Sequence, residues 1–412
     1  MILSQVARSF KARRAWFKAA IIAVAVLFLS GCMVQRPQPA ALTIADDLDR
    51  ESLRLAIRRS VSYLEKLPVD RVVGERPRRF TAGETLAALL AFDKLLDRWD
   101  CRECWAKELE ERFELIPSST DAASLDVLFT GYYQPVIDGS LMPTAEYRYP
   151  IYGKPADLIT AEQVTLTPVA RTEKVVGRIE GEDFVPYYSR REIDQRDSLR
   201  GRGYEIAWLK DPVDLFFLHI QGSGILNLPD GRRVGVGYAA QNGRPYRSIG
   251  RLLIDGGKIP REEMSMQRLR RYLREHPREQ SEILAYNESY VFFRFLENEP
   301  LGSLEVPVTA GRTLATDARL FPKGALALIA TEKPELDDAG RLLRWQPFVR
   351  VVLNQDTGGA IRGLQRADLF FGTGEQAGAA AGYMNSRGRL YFLTLKPPPA
   401  DPRPFDRVPP PG

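Results

Sequence analysis

The sequence predicts an α+β protein, mainly β with helices at its start, set between an export leader and a proline-rich tail. Three observations carry this reading. Apolar residues recur at helical spacing over 47–67 (Leu53, Ala56, Ile57, Val61, Leu64), and again over 86–99 and 105–115. From residue 124 the texture changes to short aliphatic and aromatic runs broken by glycine and proline. Residues 397–412 are dominated by proline and cannot bury a core. Strands are expected at 128–133, 149–152, 214–221, 325–331, 348–353, 369–371 and 390–395. Helix returns at 262–290, with Pro277 ending one segment and starting another. No internal repeat of solenoid period is present.

The leader is read first, because it is an address and not part of the fold. Arg8, Lys11, Arg13, Arg14 and Lys18 form a basic start, and residues 19–29 are almost wholly apolar. A helix of about 11 residues spans about 17 Å, short of a hydrocarbon core of about 30 Å. Residues 1–31 therefore read as a secretory signal. Ser30-Gly31-Cys32 resembles a lipobox, in which Cys32 becomes the lipidated mature N-terminus. Ordinary signal cleavage beside an incidental cysteine is the alternative. Met33 stands where an aspartate would suggest inner-membrane retention, which points to the outer membrane, facing the periplasm. Arg13-Arg14 leave a twin-arginine route open beside the general one.

Charge and cysteines narrow the partners. The chain carries a formal +5, and the leader supplies five cations and no acid before Cys32, so the mature protein is near neutral. No basic patch argues for nucleic acid, and none is expected as a partner. Cys101 and Cys104 form a Cys-x-x-Cys. Zinc needs four ligands, and only His219 and His276 could join the two thiols. In an exported protein a local disulfide at a helix start is expected, with two unpaired thiols as the alternative.

The chemistry must rest on carboxylates. Two histidines without a nucleophile motif provide poorly for Ser-His-Asp or Cys-His catalysis, and no phosphate loop, His-Glu-x-x-His or calcium loop occurs. Gln221-Gly222-Ser223-Gly224, between two apolar runs, reads as a hairpin turn. The candidate is Asp356-Thr357-Gly358-Gly359-Ala360-Ile361-Arg362-Gly363, followed by Asp368-Leu369-Phe370. Asp356 ends one apolar strand and Asp368 opens the next, so both could face one cleft across a Gly-rich loop. Burial and a neighbouring carboxylate raise a carboxyl pKa, as a general acid near neutral pH requires. A plain turn role for both acids is the competing reading. The single Asp-Thr-Gly lacks the second copy that an aspartic protease needs.

Several ordered motifs resemble one family. Residues 314–324, then 356–363, then Asp368-Leu369-Phe370, look like the three-aspartate domain, which adopts a double-psi β-barrel. Upstream, Phe129-Thr130-Gly131-Tyr132-Tyr133-Gln134-Pro135, Tyr149-Pro150-Ile151-Tyr152, His219-Ile220-Gln221-Gly222-Ser223-Gly224 and residues 238–246 resemble the membrane-bound lytic murein transglycosylase A family. The resemblance covers 129–396. It implies a double-psi barrel domain over 45–135 and 237–396, whose three-aspartate segment spans 306–396, with a second β domain inserted over 136–236. The glycan groove would lie between them.

Carried over residue by residue, the resemblance makes Asp368 the catalytic acid, with Asp356 and Asp317 supporting it. Thr130, Tyr132, Tyr133, Gln221, Gly222, Ser223 and Asn242 would line the groove, where Tyr132, Tyr133 and Tyr152 could also pack the core. The substrate implied is peptidoglycan, cut between N-acetylmuramic acid and N-acetylglucosamine to leave a 1,6-anhydro end, with no cofactor or metal. The membrane would be met through the lipid on Cys32, with the cell-wall synthesis or division machinery as the partner class. An inverting hydrolase using Asp356 and Asp368, and a non-catalytic wall-binding module, are the other classes.

Overall fold

The computed structural model describes residues 46–121, 125–165, 171–297 and 299–397. The leader, Cys32 and the tail beyond 397 lie outside them. The start of the described chain is helical. Helix α1 (Arg50–Leu64) is capped by Asp49, whose side chain accepts from the Ser52 N–H, and it buries Leu53, Ala56, Ile57, Ser60 and Leu64. The strands β1 (Val72–Gly74) and β2 (Phe80–Thr81) pair, and Thr81 caps α2 (Ala82–Leu95). Helix α3 (Arg102–Arg112) begins at Cys101, which is disulfide-bonded to Cys104. It stops earlier than its apolar spacing suggests, because Phe113–Pro117 turns extended as β3 and joins the barrel.

The chain then runs through β4 (Val127–Gln134) into β5 (Val136–Ser140) and β6 (Tyr149–Tyr152). A small antiparallel sheet follows, of β7 (Ile159–Thr165), β8 (Arg171–Glu180) and β9 (Asp183–Pro186). After α4 (Arg190–Gln195) come β10 (Glu205–Leu209), α5 (Pro212–Gln221), β11 (Ser223–Asn227) and β12 (Arg233–Gln241). Helices α6 (Ile249–Asp255), α7 (Met266–Glu275) and α8 (Pro277–Tyr286) lead into β13 (Val291–Leu296). The last segment is β14 (Thr313–Ala315), β15 (Leu326–Leu336), β16 (Leu342–Asp356), β17 (Arg366–Thr373), α9 (Glu375–Tyr383) and β18 (Asn385–Leu395).

Two sheets organise these elements. One runs β15-β16-β14-β17-β4-β18, and β15 pairs back onto β18, so six strands close a barrel with β3 added on β18. Two pairs in it, β14–β16 and β4–β17, are parallel. This is the double-psi barrel that the motifs implied. The other sheet runs β13-β12-β11-β5-β10-β6. In it β12 continues past Val236 to Gln241 and pairs with β13, which reaches Leu296. The returning strand is set by long-range pairing, which leaves no mark in local sequence.

Two elements differ in kind from their expected form. Residues 212–221 are a helix, not a strand. Asp211 caps it, Pro212 occupies its first turn, and Gly222 at φ 76° closes it in the left-handed region. These are helix signals. They were masked by the apolar run: Phe216 and Phe217 pack with the helices α6 to α8, and Leu215 and Leu218 pack with the second sheet. A helix buried on both sides shows no polar face, so its period is invisible. Gly222 is thus a helix terminator and not the corner of a hairpin. The second is α9, in a stretch expected to hold strands alone. Its small residues let it lie directly on β4: a Cβ on Gly378 would stand 2.6 Å from the Tyr133 ring, and one on Gly131 would stand 2.7 Å from Ala381 Cα.

Candidate active site

The three-residue strand β14 assembles the site. Ala315 is registered against Asp356 at the end of β16 on one side and against Asp368 in β17 on the other. Two acids twelve residues apart therefore share one rung of the barrel. The parallel neighbour β4 sets Thr130 opposite Asp368 and Tyr132 opposite Phe370. Side chains alternate along a strand, so Thr130 and Tyr132 face the same way as the two acids. The Thr130 hydroxyl donates to Asp368 Oδ1 at 2.7 Å, and the Tyr132 hydroxyl donates to Asp356 Oδ2 at 2.8 Å.

The two carboxylates differ in what they have left to give. Asp356 Oδ1 accepts from the Ser303 N–H at 2.9 Å and the Thr357 N–H at 2.8 Å, while Oδ2 takes Tyr132. Burial pushes its carboxyl above the ordinary value against the pull of those three donors. Among the described residues Asp368 has the Thr130 donor alone. Burial pushes it up to about 6; Thr130 and the Arg366 charge work against that shift, and the Asp356 carboxyl adds to it. A carboxyl that retains its proton near pH 6 and has a free oxygen can donate that proton to a bound molecule. The Tyr132 phenol is pushed well above its usual range by burial and the adjacent Asp356, so it stays a neutral donor.

Asp317 serves the loop between the acids. It is fully buried, accepting from the Gly363 N–H at 2.9 Å and bidentately from the Arg319 guanidinium at 2.9 and 2.7 Å. Burial alone would raise its carboxyl, but Arg319 and the Gly363 and Arg319 N–H groups hold it at about 2. It is a permanent anion. The loop of 357–363 is thus tied at its start by Asp356 and at its end by Asp317.

The expected groove residues divide. Thr130 and Tyr132 reach the acids. Tyr133 points to the opposite face of β4, away from the acids, with its ring against Gly378 of α9. Gln221 turns inward as well, its Oε1 accepting from the Tyr133 N–H at 3.0 Å. Asn242 is fully buried; its amide donates to the Tyr188 and Glu288 carbonyls and accepts from the Tyr290 N–H, so it pins a loop. Tyr152 is core, packed in one cluster with Tyr187 and Tyr290. Gly222 and Ser223 make the passage from α5 into β11, both partly exposed. Sequence reasoning missed two neighbours of Asp368. Arg366 stands two residues earlier on the same strand, a spacing that strand alternation alone would have flagged. Tyr246 lies close enough to feel the charges of both Asp368 and Arg366.

Among the described residues no group of three or more His, Cys, Asp or Glu is arranged to hold a metal ion. Residues 128–294 match the MltA specific insert domain, and residues 312–394 match the 3D domain. The chain is 34% identical over 275 residues to the membrane-bound lytic murein transglycosylase A of Escherichia coli K12, covering 66% of this chain and 67% of that protein. The chain belongs to the membrane-bound lytic murein transglycosylase A family. A solved membrane-bound lytic murein transglycosylase from Agrobacterium tumefaciens is 33% identical, with a TM-score of 0.67 over 85% of this chain and 93% of that one. The E. coli MltA structure with bound chitohexaose is 27% identical, with a TM-score of 0.64 over 88% and 93%. The family match over 128–294 runs past Val236 to β13, in step with the extent of the second sheet.

Proposed function

We infer that this protein is a peptidoglycan lytic transglycosylase in which Asp368 alone serves as acid and then base. The observation that carries the residue assignment is the contrast between the two acids: among the described residues Asp356 is occupied by three donors, whereas Asp368 is held by one and poised near pH 6. Protonated Asp368 gives its proton to the glycosidic oxygen, and the N-acetylglucosamine side leaves with a free 4-hydroxyl. The muramic C6 hydroxyl closes on C1 to form the 1,6-anhydro ring, and its proton returns to Asp368. Because that nucleophile is tethered, an effective molarity of about 10⁵ M or more lets it outrun water. Thr130 fixes the Asp368 carboxyl, and Tyr132, through Asp356, holds the wall of the site. The inserted sheet supplies the facing wall of a glycan groove. Chitohexaose bound to the E. coli relative supports a site for β-1,4-linked N-acetyl sugars.

The test is the initial rate on sacculi across pH, with product ends read by mass spectrometry. Anhydro ends are expected. The acid form is the one that starts the reaction, so the rate falls as pH rises through about 6, roughly tenfold per unit beyond it. Reducing ends, or a reversible acidic limb in protein kept folded, would instead favour the two-carboxylate hydrolase.

The relatives' name, membrane-bound, and the Ser30-Gly31-Cys32 sequence support a lipid anchor at Cys32, with the enzyme on the outer membrane facing the periplasm. No helix among the described residues is long and apolar enough to cross a membrane. Changing Cys32→Ser is expected to shift the protein from the membrane pellet to the soluble fraction with activity on soluble glycan retained. A variant still pelleting with outer membrane would refute the anchor. Cell-wall synthesis or division machinery is the partner class that such a location supports.

A further inference from the structure

Arg366 shares a face of β17 with Asp368, and the register sets it opposite Leu128 where Asp368 meets Thr130. Burial raises the Tyr246 phenol, and the Arg366 charge draws it back down, so the guanidinium lies near both Tyr246 and Asp368. Its Nε is nevertheless buried without an acceptor, and among the described residues the guanidinium makes no hydrogen bond or ion pair. The side chain as a whole is half-buried, and the fully buried arginines of the fold are paired throughout. Arg312 reaches Asp46, Ser52 and the carbonyls of Asp49 and Val351. Arg190 reaches the carbonyls of Asn287 and Ser289. A buried N–H left without an acceptor is costly, and one retained beside the reactive acid, on a side chain only half-buried, points to an acceptor brought by the ligand.

We propose that Arg366 is a substrate-binding residue that grips the 3-O-lactyl group of the muramic acid at the point of cleavage, and so makes the site select muramic acid over glucosamine. The proposal rests on the transglycosylase reading. The two sugars of the strand share the acetamido and C6 hydroxyl groups and differ at O3, a free hydroxyl in glucosamine and the lactyl ether in muramic acid. It ends in a carboxylate in a peptide-free strand and in an amide carbonyl in a peptide-bearing one. Both are oxygen acceptors, and the planar guanidinium fork takes a carboxylate bidentately. The rest of the site is carboxylate and hydroxyl, from Asp356, Asp368, Thr130 and Tyr132. With Asp368 protonated, the Asp356 carboxyl remains to repel an approaching lactyl carboxylate wherever it is ionised, and a cation on the same face offsets that.

The experiment compares the full chain with Arg366→Gln and Arg366→Lys on three probes: peptide-free glycan strands, peptide-bearing strands and chitohexaose, which lacks the lactyl group. A charge-assisted pair of this kind corresponds to about 10- to 100-fold in binding. The Gln variant is expected to raise KM on peptide-free strands by about that factor, with kcat changed less and chitohexaose affinity unchanged. The Lys variant recovers part of the loss. A loss confined to peptide-free strands assigns the contact to the carboxylate; a loss on both strands assigns it to the carbonyl oxygen common to them. Unchanged chitohexaose affinity also reports that the groove is folded. The proposal is overturned if the Gln variant keeps its KM on both strands, or if chitohexaose affinity falls in parallel. Wild-type protein that releases no anhydro ends would instead refute the transglycosylase reading itself.

Discussion

Asp368→Asn is expected to lose about 10² to 10⁴ in rate on sacculi while the folded protein becomes more stable at neutral pH. The two effects share one cause. Burial lifts the Asp368 carboxyl to about 6 from an ordinary 3.8, so the native state favours the protonated form. Stability from that proton is fully present below the unfolded carboxyl pKa and is lost as pH rises through about 6. Above that, the native state carries a poorly solvated anion at a cost of up to about 3 kcal/mol. Asparagine keeps an oxygen for the Thr130 hydroxyl and removes the charge. Melting curves should therefore nearly coincide around pH 4 and separate above pH 6, with the variant the more stable. An active folded variant would remove Asp368 from the mechanism. A variant less stable at pH 8 would show that the carboxylate is not strained there.

Asp46→Ala is expected to cost about 3–5 kcal/mol of folding stability, the largest loss from a single change away from the acids. Asp46 and Arg312 form an ion pair at 2.6 Å with both side chains fully buried. Asp46 also accepts from the Val351 N–H of β16, and Arg312 ties α1 to the barrel through Ser52 and the Asp49 carbonyl. Removing the acid leaves a buried guanidinium without its counter-charge. Arg312 immediately precedes β14, whose Ala315 sets the rung of Asp356 and Asp368, so the loss should reach the site. Urea denaturation gives the cost. Replacing both partners together, Asp46→Leu with Arg312→Met, should recover much of it, since the pair serves mainly to cancel its own desolvation. A loss below about 1 kcal/mol for Asp46→Ala would contradict the reading of the pair as a buried ion pair whose charges depend on each other.

Features that depend on neighbours within a few residues were legible in the sequence. The spacing of Leu53, Ala56, Ile57 and Leu64 placed α1, and Pro277 divided α7 from α8. The apolar runs that end at Asp356 and begin around Asp368 placed two acids at strand edges around a Gly-Gly turn. The ordered motifs named the family and its barrel. What local pattern could not decide was which face each side chain presents, because that depends on a strand's neighbours across the sheet. Thr130 and Tyr132 were grouped with Tyr133, yet alternation sends the first two to the acids and the third into the packing under α9. Asn242 and Gln221 carry amides suited to a sugar, but the fold spends them on backbone groups that would otherwise be buried unpaired. The helix at 212–221 was hidden because both of its sides are buried, which erases the polar stripe that reveals a period. The protonation of Asp368 was likewise a tertiary decision. Its residue type and position are in the sequence, but its lift to about 6 comes from the protein that closes around it and from Asp356, twelve residues away along the chain and one rung away across β14.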